Sequence, residues 1–208
     1  MTARRIFLRK SAAALVLALA ACTSAPPPDT GDYVARLSAA RAAKDEFFLR
    51  GSDSPVPPAQ RADVIPLAYF PIDPAYDVPA ALRPAADGMR LQMPTSTGQM
   101  RDMRRVGTLG FTLKGRALTL AAFVEVGAAD MDHLFVPFTD LTSGTETYPG
   151  GRYLDLDRND TNMYEIDFNR AYHPYCYFNP TFDCPLPPAE NRLSIPVRAG
   201  ERLKIPSK

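Results

Sequence analysis

After Gly51 a proline arrives every few residues as far as Pro94, and the chain carries 21 prolines in all. A proline inside a helix removes a backbone donor and drives its ring against the carbonyl four residues back, so this stretch cannot form long helices. One helix is predicted ahead of it. Asp32 caps it, Tyr33, Leu37, Ala40, Phe47 and Phe48 fall on one side at helical spacing, and Gly51 stops it. Arg36, Arg41, Lys44 and Asp45 fall elsewhere on that helix.

The remainder alternates as strands do. Leu67 to Ile72 forms a short run, and from Val106 the period becomes two. Leu109, Phe111 and Leu113 alternate, Lys114-Gly115-Arg116 turns, and Leu118, Leu120, Ala122, Val124 and Val126 alternate again. Leu134, Val136 and Phe138 follow, then Leu154 and Leu156, a turn over Arg158 to Asn162, and Tyr164, Ile166 and Phe168. Leu193, Ile195 and Val197 make a further run, and Ala199-Gly200-Glu201 turns into Arg202 to Ile205. About eight short strands at turn-signalled spacing predict a mainly β fold, a compact antiparallel β-sandwich or barrel with one N-terminal helix.

The first residues carry an address. Arg4, Arg5, Arg9 and Lys10 precede an alanine-rich apolar core over Ser11 to Ala21, too short to span a bilayer. Leu19-Ala20-Ala21-Cys22 resembles the lipobox of bacterial lipoproteins, so residues 1–21 are expected to be a cleaved signal peptide and Cys22 the lipidation site. Arg4-Arg5-Ile6-Phe7-Leu8-Arg9 resembles the twin-arginine export motif, with Ala3 where Ser or Thr is usual, which leaves the standard secretion route open as well. Thr23 to Gly31, with Pro26-Pro27-Pro28, is a tether reaching about 28 Å at most in an extended proline conformation. Residues 22–31 are thus the anchored tether and 32–208 a single domain. Thr23, not Asp, follows the cysteine, which points to the outer membrane facing the periplasm. Removing the signal leaves 20 basic against 23 acidic side chains, with no basic run for nucleic acid to bind.

Cys176 and Cys184 are the only cysteines beyond Cys22, and an even pair in an oxidising compartment is expected to form a disulfide. With His133 and His173 they also make the arithmetic of a Cys₂His₂ zinc site, though His173-x₂-Cys176-x₇-Cys184 has no standard zinc spacing. Asp155-Leu-Asp157-Arg-Asn159 begins like a calcium loop, but Asp160 and Ile166 stand where Gly and Glu are required. Met89, Met93, Met100 and Met103 are a possible soft-metal set, or adaptable packing. No metal or other cofactor is expected, and no residue is assigned as catalytic.

A polar set is embedded in the apolar strands: Asp140, Thr142, Glu146, Thr147, Arg152, Asp167, Asn169, Tyr172 and Asn191. Nine of the 20 Phe and Tyr residues fall between Tyr148 and Phe182. Two readings stay open. Arg152 paired with Asp140 or Asp167 is architecture, closed by Asn and Thr hydrogen bonds. Alternatively Asp140, Arg152, Asp167, Asn169, Tyr172 and Asn191 line an aromatic-walled cleft, where Arg152 grips a carboxylate or phosphate. Arg152 has the parity of Leu154 and Leu156, so it sits either at the strand's open end or beneath the sheet beside an acid.

Several runs carry a resemblance: Phe138-Thr-Asp140-Leu-Thr142-Ser143-Gly144-Thr-Glu146-Thr147-Tyr148, Gly151-Arg152-Tyr153, Asp167-Phe168-Asn169-Arg-Ala171-Tyr172, Cys184-Pro185-Leu-Pro187-Pro188 and Ala199-Gly200-Glu201. Leu67-Ala-Tyr69-Phe70-Pro71-Ile-Asp73-Pro74 fits too, as do Cys176 and Asn191. Together they resemble the prokaryotic family called domain of unknown function 1684, over roughly Tyr33 to Leu203, with His173 where that family usually has Asn. The resemblance implies no activity.

The expected function is therefore an envelope lipoprotein holding a small polar ligand or cell-wall component. The alternatives are a hydrolase-like enzyme using Asp140 or Asp167 with Arg152, and a structural partner in an envelope complex. Cys22→Ala should leave the protein unprocessed or released from the membrane. Unchanged membrane fractionation and palmitate labelling in that variant would exclude lipidation.

Overall fold

The computed structural model describes residues 30–85, 89–128, 133–159 and 163–204; the signal segment, Cys22 and the triple proline lie outside them. Helix α1 spans Thr30–Arg50. Seven strands follow: β1 (Asp77–Pro84), β2 (Arg90–Pro94), β3 (Met100–Leu113), β4 (Arg116–Glu125), β5 (His133–Phe138), β6 (Arg152–Asp157) and β7 (Tyr164–Asp167). Six of them run antiparallel in the order β6-β5-β4-β3-β1-β7, with β2 paired beside β3. A bridge between Arg158 and Tyr164 joins the two ends, leaving a nearly closed six-strand barrel.

The long β3–β4 hairpin is set by its turn. Lys114 (φ 49°) and Gly115 (φ 76°) both take left-handed conformations, as a two-residue turn matched to strand twist requires, and Leu113 pairs with Arg116. The expected alternation follows from this register: Leu109, Phe111, Leu113, Leu120, Ala122 and Val124 point into the barrel with Leu134, Val136, Leu154, Leu156 and Ile166. Ala121 and Phe123, on the outer face of β4, are also buried, because Met93 and Met103 cover them. Two of the four clustered methionines are thus packing, while Met89 and Met100 are exposed.

Two expected strands are not strands. Leu67 to Ile72 is an irregular segment with a single bridge between Tyr69 and Glu201. Residues 193–199 keep the period-two pattern, burying Leu193, Ile195, Val197 and Ala199, yet they join no strand ladder. Backbone bonds tie the start of this segment to residues 139–141, the Leu193 amide donating to the Thr139 carbonyl (2.8 Å) and the Leu141 amide to the Ile195 carbonyl (3.3 Å), and side chains hold the rest. Asp140 Oδ1 accepts from the Val197 amide (3.2 Å), and the Arg152 guanidinium donates to the carbonyls of Val197 (2.7 Å), Ala199 and Glu201 (3.2 Å). Strands β1 and β2, in turn, lie where prolines obscured the pattern.

Arg152 is the centre of this arrangement. It is 1% exposed and contacts Asp140 Oδ2 at 2.8 Å, with Phe138 beneath the guanidinium at 5.2 Å. Its parity is therefore resolved by insertion beneath the sheet with an acidic partner. Removing one member of a buried pair leaves an uncompensated charge and costs about 3–5 kcal/mol. Asp140→Ala and Arg152→Met are expected to lower the free energy of urea unfolding by an amount of that order, seen as a lower midpoint, with Asp157→Ala, an exposed position, near zero. Equal midpoints for all three would show that the pair does not hold the fold.

Candidate functional site

The structure divides the expected site residues among four places. Asp140 and Arg152 form the clasp just described, sealed from solvent at 1% side-chain exposure each. Thr142 belongs with them, its amide donating to Asp140 Oδ1 at 2.7 Å and its hydroxyl lying 3.0 Å from that of Thr147. Asn191 mends a seam in the barrel. Strands β4 and β5 pair only at Phe123 and Phe135, and the Asn191 side chain fills the gap above. Its Oδ1 accepts from the Ala121 amide at 2.7 Å, and its Nδ2 donates to the carbonyls of Ala121 (2.9 Å) and Pro137 (2.7 Å).

Asp167 and Asn169 form a separate network that seats α1. Asp167 Oδ1 accepts from the Tyr33 hydroxyl (2.9 Å) and the Asn169 amide (2.9 Å), and Oδ2 from Arg170 (3.1 Å). The Asn169 side chain donates to the Asp73 carbonyl (2.8 Å) and accepts from the Asp73 amide (3.0 Å). The helix meets the barrel through Tyr33, Leu37, Arg41, Lys44, Asp45 and Phe48. Arg41 donates to the carbonyls of Phe70 and Asn169, and Asp45 accepts from the Leu67 amide. Ala40 and Phe47, expected on the docking face, are exposed. Hydrogen bonds, more than an apolar stripe, fix the helix to a surface rich in free carbonyls.

Of the six expected residues only Tyr172 lines the main cleft, whose volume is about 650 Å³. Tyr153 and Asp155 reach it from the outer face of β6, Phe135 from β5, Arg101 and Met103 from β3 and Glu125 from the end of β4. Tyr172 is held beside β6 by paired backbone bonds with Tyr153 at 2.8 and 3.1 Å. Its hydroxyl donates to Asp155 Oδ2 at 2.7 Å. Tyr175 and the loop Phe182 to Pro185 supply the opposite wall. That loop is fastened to the turn after β2: the Ser96 amide donates to the Cys184 carbonyl (2.8 Å), and the Leu186 amide to the Pro94 carbonyl (2.8 Å). Lys44 closes one side, with Nζ 2.6 Å from the buried Glu201 carboxylate and 4.8 Å from the Tyr172 ring centre. Arg101 lies 3.2 Å from Asp183 and 3.6 Å from Glu125.

Cys176 and Cys184, the pair expected to form a disulfide, are both buried beside this cleft. They adjoin each other, the Cys176 amide donating to Cys184 Sγ at 3.2 Å. The Cys184 thiol, with further hydrogen bonds from Ser96 and Tyr148, brings Cys176 down to about 6, while that same partnership and burial push Cys184 up. The histidines lie apart from them. His133 meets Asp157 on β5, and His173 is buried, accepting from the Tyr148 amide at 3.3 Å. Among the described residues no group of three or more His, Cys, Asp or Glu is arranged to hold a metal ion.

A second depression, of about 410 Å³, opens over Asp77, Glu165 and Asp167 beside Tyr33, Arg36 and Arg170. Antiparallel pairing of β1 with β7 puts Asp77 opposite Asp167. Burial, then the charges of Asp167 and Glu165, push Asp77 up to about 7.

A family model described as "Protein of unknown function (DUF1684)" matches residues 65–202. The chain belongs to this family. The match takes in the whole barrel and both walls of the cleft, and it begins after α1, later than the resemblance from Tyr33 implied. Among solved structures, the DUF1684 chain is similar to an uncharacterized protein of Haloarcula marismortui studied by solution NMR. The two are 40% identical over 84% of this chain and 96% of that one, with a TM-score of 0.66. The comparison with curated proteins finds no match. The cleft residues Lys44, Arg101, Asp155, Tyr153, Tyr175 and Phe182 are not among the binding candidates that the sequence offers, although the aromatic concentration between Tyr148 and Phe182 is their signal.

Two titrations in this DUF1684 domain oppose each other. Burial, with the charges of Arg152 and Lys44, pulls His173 down to about 3. Its contribution to stability is full above the free value of 6.5 and is lost as pH falls toward 3. Asp77 is raised instead, so its contribution is full below the free value of 3.8 and is lost as pH rises toward 7. Between those limits the slopes offset each other. Asp77→Asn should therefore expose an acid-side loss of stability that the wild type hides, read by melting temperature against pH. Identical profiles for the two proteins would refute the balance.

Proposed function

We propose that this chain is an envelope lipoprotein that binds a small polar ligand, drawn from cell-wall components, in the cleft between Tyr153, Tyr172, Tyr175 and Phe182. The observation that carries it is the make-up of the cleft: aromatic walls with charged groups at the rim, in a volume of about 650 Å³, the composition and size typical of small-ligand sites. Rings give contact area at low cost in rotamer entropy, and Arg101, Asp155 and Asp183 give the few oriented polar contacts that fix a ligand's pose. Lipidation at Cys22, with the proline tether behind it, would hold this cleft within reach of the wall from the outer membrane. The hydrolase alternative draws less support, since Asp140 and Arg152 are sealed and Asp167 is committed to α1.

Detergent-solubilised full-length protein should bind soluble peptidoglycan fragments saturably in calorimetric titration. Tyr172→Ala and Arg101→Ala should each weaken that binding about tenfold, equivalent to roughly 1.4 kcal/mol. Absence of saturable binding, or binding that neither substitution changes, would overturn the proposal.

A further inference from the structure

The walls of the cleft meet at right angles. Tyr153 and Tyr172 are 5.8 Å apart at 85°, Phe135 and Tyr153 4.7 Å apart at 80°, and Tyr175 and Phe182 5.4 Å apart at 78°. Perpendicular rings cannot all stack on one flat ligand. Rings lining one cleft at such angles suit a compact cation, which any ring face turned to the cleft attracts.

The charges in the cleft point the same way. Its lining holds two basic groups, Lys44 and Arg101, against three acidic ones, Glu125, Asp155 and Asp183. Both bases are already matched: Lys44 by Glu201 from behind, at 2.6 Å, and Arg101 by Asp183 and Glu125. The Asp155 carboxylate is oriented by the Tyr172 hydroxyl at 2.7 Å and forms no ion pair with a described basic side chain. One oriented negative charge therefore stands beside the aromatic walls. The protein itself places an ammonium here, since Lys44 Nζ lies 4.8 Å from the Tyr172 ring centre and 5.1 Å from that of Phe48. Met103, Pro174 and Pro185 complete the lining with apolar surface, which favours a carbon-substituted ammonium over a bare metal ion, for which oxygen ligands would be needed.

We infer that the group this cleft is built to take is an organic ammonium, seated among Tyr153, Tyr172, Tyr175 and Phe182 with its charge toward Asp155. The inference rests on the cleft being the binding site. Two sources carry such a group: a free amine on a cell-wall peptide, and a small quaternary ammonium compound.

The test uses full-length protein in detergent and two matched pairs of probes. Choline is compared with 3,3-dimethylbutan-1-ol, which has the same shape without the charge. A lysine-containing wall peptide is compared with its N-acetylated form. In calorimetry the charged member of at least one pair should bind at least about tenfold more tightly than its neutral counterpart. Asp155→Asn should remove most of that difference; its side chain is exposed, so the variant retains the fold, and Tyr172→Ala should weaken binding of the same probe. Preference within the peptide pair alone assigns the wall as source, and preference within the choline pair alone assigns a free quaternary ammonium. Equal binding within both pairs, or a preference that survives Asp155→Asn, overturns the inference. If saccharide fragments of the wall bind and are lost in Tyr172→Ala while neither ammonium binds, the ammonium inference fails and the cleft stands. If no probe binds at all, both fail.

Discussion

A guanidinium taken wholly out of water has to hand its donors to acceptors built into the fold, and around Arg152 that demand organises one end of the barrel. Four of its N–H groups serve one carboxylate and three carbonyls, those of Asp140, Val197, Ala199 and Glu201. The segment that supplies the carbonyls joins no strand ladder, and beyond its backbone bonds to residues 139–141 the clasp holds it in place. With that segment in place Glu201 is buried, and it in turn receives Lys44 from α1 and the His173 amide. Residues 193–201, one side of the cleft and the Lys44 anchor of the helix thus depend on a single side chain of β6.

The division of labour among polar residues follows from this. Asp140, Thr142, Arg152, Asp167, Asn169 and Asn191 are buried and rich in partners. All but Thr142, whose hydroxyl meets that of Thr147, satisfy backbone groups that an incomplete ladder or an irregular segment leaves over. The residues around the cleft are different in kind. Asp155 has one internal partner there, and the surrounding rings are exposed on the side facing the cavity. A chain with 21 prolines breaks its own ladders often, and it uses side chains to repair them.

That distinction explains what could be read from sequence and what could not. Alternation at Leu109 to Val124 and the Lys114-Gly115 turn were enough for the central hairpin, because side-chain parity and turn chemistry are local properties. The same alternation at Leu193 to Val197 was misleading about pairing, since burial with period two needs an extended chain and not a neighbouring strand. The polar set was visible as a set, but sequence could not separate the clasp from a binding site. Both call for Arg and Asp amid apolar residues, and only the third dimension shows that Arg152 points under the sheet. The docking face of α1 was misjudged for a similar reason: Arg41, Lys44 and Asp45 look solvent-facing until free carbonyls and Glu201 are placed opposite them. The cleft itself joins β3, β5, β6 and two loops, and no spacing along the chain encodes such a meeting.

The clasp also makes closure of the barrel a long-range matter. Arg152 enters the core beneath β6, but the carbonyls that receive it belong to residues 197–201, between 45 and 49 positions further along. Without that segment the barrel's apolar interior lacks Leu193, Ile195, Val197 and Ala199, and the guanidinium lacks three of its four acceptors. The seven strands alone are therefore not a finished domain; their core is completed by a segment that belongs to no strand, and the smallest unit able to bury Arg152 is the strands together with it.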